Sequence, residues 1–298
     1  MPTVAELLGE GLERLRASGS ESPRLDAELL LGHAIGLDRT ALIAHPDAPV
    51  GDRQATAYRA GLERRAGGEP VAYIRGLKEF YGLALVVDPR ALIPRPETER
   101  LVELAEREIA DRLVAAPRGP DAARLEVADV GTGSGAVVVA LAAALRRRGM
   151  LDEVRLLATD VSADAIGLAR ENAVVHAVAD RIDFSVGDLL PAGVGPFDLV
   201  LANLPYVRSD AMPDLPRATT FEPAVALDGG GDGLEVIGRL LDALPSALVA
   251  AGVALLEIGG DQGEAIVAEV RRRLPGWSCE VELDLGGQPR VARVIHPA

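Results

Sequence analysis

The chain has 298 residues, 48% of them hydrophobic, enough for a packed core and for two domains or one large one with an appendage. Its formal net charge of −14 argues against broad binding to a phosphate backbone, because nucleic-acid binders gather Lys and Arg on one face. A single cysteine, Cys279, excludes an intrachain disulfide and a cysteine-rich metal site, and His33, His45, His176 and His296 lack ligand spacing.

Residues 1–73 read as helix throughout. Val4, Leu7, Leu8, Leu12 and Leu15 fall on one helical stripe. The same opening segment alternates Glu and Arg with Leu and lacks the apolar centre of a signal peptide. No apolar run reaches the ~18 residues that span a bilayer, so the expected setting is the cytoplasm, away from any membrane. Ser22-Pro23 starts a second helix with Leu25, Leu29, Leu30 and His33 inward and Gly36 as its stop. A further helix over 52–66 ends at Gly67-Gly68. Residues 1–73 are therefore expected to form a small all-helical recognition domain rather than a catalytic one.

Two strand-like runs follow, at 71–76 and 79–87, turning near residues 76–78. They make 74–94 a β-hairpin linker. Ile93-Pro94-Arg95-Pro96-Glu97-Thr98-Glu99 locks an extended stretch, then opens a helix with Pro and Glu in its first turn. Pro120-Asp121 reads as a loop. The remaining domain, 95–298, alternates apolar runs at Leu125–Val130, 154–159, Ile182–Val186, Phe197–Ala202 and 253–258 with helical segments. The helices are expected at 136–148, 163–177, 233–250 and 262–274. That alternation predicts an open, mainly parallel α/β sheet covered on both faces. Runs at 278–284 and 290–296, with no helix between them, predict a terminal antiparallel pair that completes seven strands. The clusters Arg146-Arg147-Arg148 and Arg271-Arg272-Arg273 fall at helix ends, where they complement the helix dipole.

Ligands of such sheets bind beyond the carboxyl ends of the strands. The first strand ends in Gly131-Thr132-Gly133-Ser134-Gly135, where backbone without Cβ can approach a ligand ahead of a helix N-terminus. Gly131-x-Gly133-x-x-Ala136 also satisfies the relaxed dinucleotide fingerprint. Asp160 ends the second strand, placed either to accept from ribose hydroxyls or to cap the next helix. Asp188-Leu189 follows the third, either accepting from an adenine amine and covering its ring or forming a plain turn. The fourth ends in Asn203-Leu204-Pro205-Tyr206. Pro205 biases Leu204 toward an extended conformation and so aims its carbonyl. The Asn203 side chain adds a second acceptor and Tyr206 a flat face. Taken alone the stretch is a turn; with the other strand ends it suits a planar group bearing an NH2.

This order of strand ends resembles the class I S-adenosylmethionine-dependent methyltransferases, a Rossmann-like fold, and the last motif resembles their amino-group subset. Five further segments narrow the resemblance: 23–30, Gly68-Glu69-Pro70, 93–99, 131–135 and Phe221-Glu222-Pro223. Together they resemble the peptide chain release factor glutamine N5-methyltransferases over nearly the whole chain, the helical N-terminal domain included. The resemblance implies S-adenosyl-L-methionine as cofactor, no metal, and as partner a class 1 release factor whose Gly-Gly-Gln glutamine is methylated. The acidic charge and the helical domain speak against direct binding of nucleic acid, and a monomer is expected. The resemblance also implies that Gly131, Thr132, Gly133, Ser134, Gly135, Asp160, Asp188, Leu189 and Asn203 hold the cofactor. Asn203, Leu204, Pro205 and Tyr206 would hold the glutamine and promote transfer, with Tyr206 packing its side chain, and Arg95 and Glu222 would line the substrate site or tie loops around it, the alternative being an ordinary surface or inter-loop ion pair. The family usually has proline where this chain has Leu204; leucine still offers a backbone carbonyl, restrained by Pro205. The motif at 203–206 also resembles rRNA adenine dimethyltransferases, so adenine N6-methylation of rRNA or DNA is the alternative, together with methylation of a ribosomal-protein glutamine.

Overall fold

Thr3 starts the first helix with a reciprocal cap: its side chain accepts the Glu6 N–H, and Glu6 accepts the Thr3 N–H at 2.8 Å. The computed structural model describes residues 1–115, 123–191, 193–284 and 286–298; the expected loop at Pro120-Asp121 lies outside them. One compact unit comprises Met1–Leu77 with Leu215–Phe221, and the other Lys78–Asp214 with Glu222–Ala298.

The first unit contains helices α1 (Val4–Ala17), α2 (Pro23–Ile35), α3 (Arg39–Ala44), α4 (Asp52–Ala66) and α5 (Val71–Arg75). Leu7, Leu15, Leu31, Leu42 and Leu62 form its core around Tyr58, whose hydroxyl donates to the Leu7 carbonyl at 3.1 Å. Two expectations need correction. Helix α2 turns Leu25 and His33 outward and buries Asp26, Ala27, Glu28 and Leu31. The buried carboxylates are paired: Asp26 with Arg65 at 2.7 Å, Glu28 with Arg24 at 2.9 Å and Arg39 at 2.7 Å. Residues 71–75 are helical rather than a strand, because Gly76 at φ +67° closes the turn as a left-handed cap. Helix α3 is an addition that the sequence pattern did not suggest.

The hairpin, which apart from Leu77 belongs to the second unit, pairs β1 (Leu77–Phe80) with β2 (Leu83–Val86). It turns at Tyr81-Gly82, later than expected, with φ +50° and +73°, the left-handed pair that a two-residue hairpin loop favours. Then follow α6 (Glu99–Ala115), β3 (Leu125–Val130), α7 (Ala136–Arg147), β4 (Val154–Asp160), α8 (Ala163–Val175), β5 (Ile182–Val186) and β6 (Phe197–Ala202). Helix α9 (Glu235–Ala247), β7 (Leu248–Glu257), α10 (Gly263–Arg273), β8 (Ser278–Leu283) and β9 (Pro289–Ile295) complete it. Strand β7 starts before the expected 253, because Leu248 pairs with Phe197 across a register shift and ends the helix early.

The seven strands run in the order β5-β4-β3-β6-β7-β9-β8, with only the β9 pairings antiparallel. One apolar cluster joins α6 and α7 to the sheet, and a second joins α9 and α10 to its other face. Successive strands are laid outward from β3 in one direction and from β6 in the other. The β3–β6 boundary is thus the topological switch point, where a crevice opens at the carboxyl ends of the strands.

Candidate active site

At that switch point lies a cavity of about 280 Å³, walled by the loops after β3, β4, β5 and β6 and by the segment before α6. The glycine loop is its floor. Gly131 and Thr132 both donate their N–H to the Thr159 carbonyl at 2.9 Å, tying the end of β3 to β4. Gly131, Gly133 and Gly135 all have left-handed φ, at +71°, +56° and +79°. Their uses differ. A Cβ on Gly133 would meet nothing nearer than Ala91 Cβ at 3.9 Å, so this glycine leaves the backbone open to a ligand. A Cβ on Gly135 would stand 2.9 Å from Ala169 Cβ, so Gly135 lets α7 start close against α8 and does not line the cavity. A Cβ on Gly131 would stand 2.8 Å from Leu204 Cδ2. The leucine at 204 is therefore accommodated: its side chain is buried over Gly131 and joins the second apolar cluster.

Asp160 lines the cavity and is already engaged. Its Oδ2 accepts the Gly133 N–H and its Oδ1 the Ser162 N–H, both at 2.9 Å, while Ser162 itself caps α8. Each carboxylate oxygen keeps a second lone pair. Asp188 and Leu189 stand on the wall; Leu189 has φ +57° and its carbonyl accepts the Thr159 hydroxyl at 2.8 Å. Asp188 is exposed and ion-paired with Arg239, a partner that sequence reasoning missed. Asp129, at the tip of β3, is buried; burial pushes its carboxyl up to about 7 although the Thr132 hydroxyl and Val138 N–H pull it down. Asn172 was also missed: buried on α8, it donates to the Ser134 carbonyl at 2.9 Å and so braces the glycine loop.

The acceptor loop after β6 brings Asn203, Leu204 and Pro205 to the same cavity. Asn203 donates its Nδ2–H to Thr98 Oγ1 at 3.0 Å. Among the described residues no hydrogen bond occupies Asn203 Oδ1 or the Leu204 carbonyl. Tyr206 departs from expectation. It packs with the second apolar cluster instead of on the cavity wall, and burial pushes its hydroxyl up to about 12. Gln262 holds the Tyr206 carbonyl with its Nε2–H at 3.0 Å, which anchors the loop to the turn after β7. Arg95 lines the cavity, while Glu222 sits behind it, buried: its Oε1 takes the Arg95 guanidinium at 2.6 Å and its Oε2 the Ile93 N–H at 3.1 Å. Arg95 and Glu222 thus form an inter-loop ion pair.

Among the described residues no group of three or more His, Cys, Asp and Glu side chains is placed to hold a metal ion, and no helix is long and apolar enough to cross a membrane. A mainly parallel seven-stranded sheet with its glycine loop and two acceptors at the switch point defines a class I methyltransferase. Residues 127–219 match the family model described as a methyltransferase domain, and residues 6–76 match the PrmC N-terminal domain. The chain is 39% identical to the release factor glutamine methyltransferase of Deinococcus radiodurans, over 97% of each. It is also 39% identical to that of Moorella thermoacetica, over 97% of this chain and 96% of the relative. The hMettl16 catalytic domain in complex with MAT2A 3'UTR hairpin 1 shares the fold, with a TM-score of 0.55 at 17% identity over 86% of this chain and 84% of that one. The chain belongs to the release factor glutamine methyltransferase family, whose members depend on S-adenosylmethionine. The cavity fits that cofactor: open glycine backbone, the Asp160 carboxylate and apolar Leu189 and Val161 suit a molecule combining a cationic sulfur, ribose hydroxyls and a flat base.

Proposed function

We propose that this chain methylates the side-chain amide nitrogen of the glutamine in the Gly-Gly-Gln loop of class 1 peptide chain release factors. The observation that carries this reading is the pair of free acceptors, Asn203 Oδ1 and the Leu204 carbonyl, on the wall of the cavity that also holds the glycine loop. Relatives named release factor glutamine methyltransferase, matched end to end, support the choice of substrate.

S-adenosylmethionine supplies an electrophilic methyl group on a positively charged sulfur. Gly131 to Ser134 would present backbone to it, Asp160 would accept from its ribose hydroxyls, and Asp188 and Leu189 would receive its base. An amide nitrogen is a poor nucleophile, since its lone pair is delocalised into the carbonyl. Asn203 Oδ1 and the Leu204 carbonyl each accept one N–H of the glutamine and so hold its nitrogen in line for transfer. Those hydrogen bonds strengthen as positive charge develops on the nitrogen, which favours the transition state over the ground state. Proximity and orientation contribute more, on the order of 7 kcal/mol. The nitrogen then loses its proton to water, so no side-chain base is required. Pro205 sets the loop, and Arg95 with Glu222 fixes the wall beside it. Helices α1 to α5 recognise the release factor, and the chain works in the cytoplasm, where that partner acts.

The test is incubation with radiolabelled S-adenosylmethionine and either a class 1 release factor or rRNA. Label on the release factor supports this reading; label on rRNA alone contradicts it.

A further inference from the structure

Beneath the acceptor loop lies a carboxylate that the mechanism above does not use. Glu257 ends β7, is 1% exposed, and has no hydrogen-bond partner for either oxygen among the described residues. A buried charge left in that state is costly, so its surroundings decide what it does. Thr98, from the turn before α6, and Tyr206, from the acceptor loop, bring hydroxyls close to it without completing hydrogen-bond geometry. Arg290 on β9 is the cation facing it, with a buried Nε that also lacks a partner, and Glu97 adds a second negative charge. Burial pushes Glu257 up to about 7, while Thr98, Arg290 and Tyr206 pull it down and Glu97 raises it further.

Thr98 is the link to the cavity. Its hydroxyl is buried and its Oγ1 accepts the Asn203 Nδ2–H at 3.0 Å. A hydroxyl has one proton to give. Having accepted from Asn203, Thr98 has its own O–H left to donate to Glu257, and an ionised carboxylate, which can only accept, admits no other direction. The amide nitrogen of Asn203 is then fixed toward Thr98, which turns Oδ1 to the cavity. With Glu257 protonated the direction is no longer fixed and can reverse. Its O–H donates to Thr98, the Thr98 proton turns to Asn203, and the amide is favoured in the flipped orientation, with an N–H where the substrate needs an acceptor.

We propose that Glu257 is a positioning residue that acts through the Thr98 hydroxyl to hold Asn203 Oδ1 toward the cavity. This rests on the role given to Asn203 in the proposed function, and the experiment separates the two.

Turnover and KM of wild type, E257Q, T98V, T98S, N203A and the E257Q/T98V double variant are measured across about pH 5.5 to 9, with thermal melts to confirm folding. Wild-type turnover is expected to fall on the acid side of about pH 7, where Glu257 takes up its proton. E257Q and T98V are expected to lose about tenfold or more in turnover, to lose that acid limb, and to leave cofactor affinity unchanged. T98S is expected to keep both turnover and limb, and the double variant to be no worse than T98V. Wild-type turnover with an intact acid limb in E257Q, or losses that multiply in the double variant, overturns the proposal. Should E257Q fail to fold, T98V with wild-type turnover overturns it alone. If N203A itself keeps full turnover, the role of Asn203 fails; if N203A is impaired and E257Q and T98V are not, only the role of Glu257 fails.

Discussion

Asp160 Oδ2 accepts the Gly133 N–H at 2.9 Å, so the carboxylate that ends β4 also fixes the glycine loop that follows β3. Replacing it with alanine removes the carboxylate proposed to accept from the ribose and releases the floor of the cavity together. Hydrogen bonds to a charged group contribute about 1.5–3 kcal/mol each, so Asp160→Ala is expected to weaken S-adenosylmethionine binding by tenfold or more. Calorimetry measures it directly. Unchanged affinity removes Asp160 from the cofactor site.

Gly135 packs against Ala169 and lies off the cavity wall, and stability is where its loss should register. Gly135→Ala places a Cβ 2.9 Å from Ala169 Cβ and forces alanine to φ +79°. Strain and overpacking of this kind cost about 1–3 kcal/mol in denaturant unfolding. Wild-type stability in this variant would show that α7 and α8 can part without cost.

Much of this architecture was legible because parallel strands buried on both faces must be apolar throughout. Val127, Ala128 and Val130 on β3, and Leu199, Val200 and Leu201 on β6, are buried on whichever face they point to. The strand-end residues could be grouped for the same reason: a parallel sheet delivers its carboxyl ends to one edge. What failed were positions set by tertiary partners. Asp26 and Glu28 look like surface charges until Arg65 and Arg39 arrive from elsewhere in the unit, with Arg24 one turn away on the same helix. The 71–75 segment has strand-like side chains, yet Gly76 closes it as a helix. Tyr206 closes the acceptor motif in sequence but packs against the apolar core. Thr98 and Glu257 are 159 positions apart, and nothing local in either suggests that the Thr98 hydroxyl lies between Asn203 and Glu257.

Asp129 ties stability to pH. Its carboxyl is raised to about 7 in the fold, chiefly by burial, from an ordinary value of 3.8. Between those values the folded chain holds a proton that the unfolded chain has released, so this residue's contribution is full below about pH 4 and is lost as pH rises through about 7. Asp129→Asn keeps an oxygen to accept from Thr132 and Val138 but cannot ionise. Its unfolding free energy relative to wild type is expected to rise from about pH 4 to about pH 7 and then level off. Denaturant melts at several pH values measure the difference; a flat difference would mean that Asp129 titrates normally.

The central claim is that the acceptor at Asn203 aims a glutamine amide. Asn203→Ala removes one of two acceptors without altering the glycine loop or Asp160, and loss of one such group costs about 100-fold or more in turnover. The direct measurement is mass spectrometry of the Gly-Gly-Gln peptide of a release factor, sampled over time with wild type and with the variant, beside cofactor affinity by calorimetry. The expected result is one methyl group on the glutamine side chain with wild type, formed about 100-fold more slowly with Asn203→Ala at nearly unchanged cofactor affinity. Equal rates with both proteins, or methylation at some other residue of the release factor, would contradict the account.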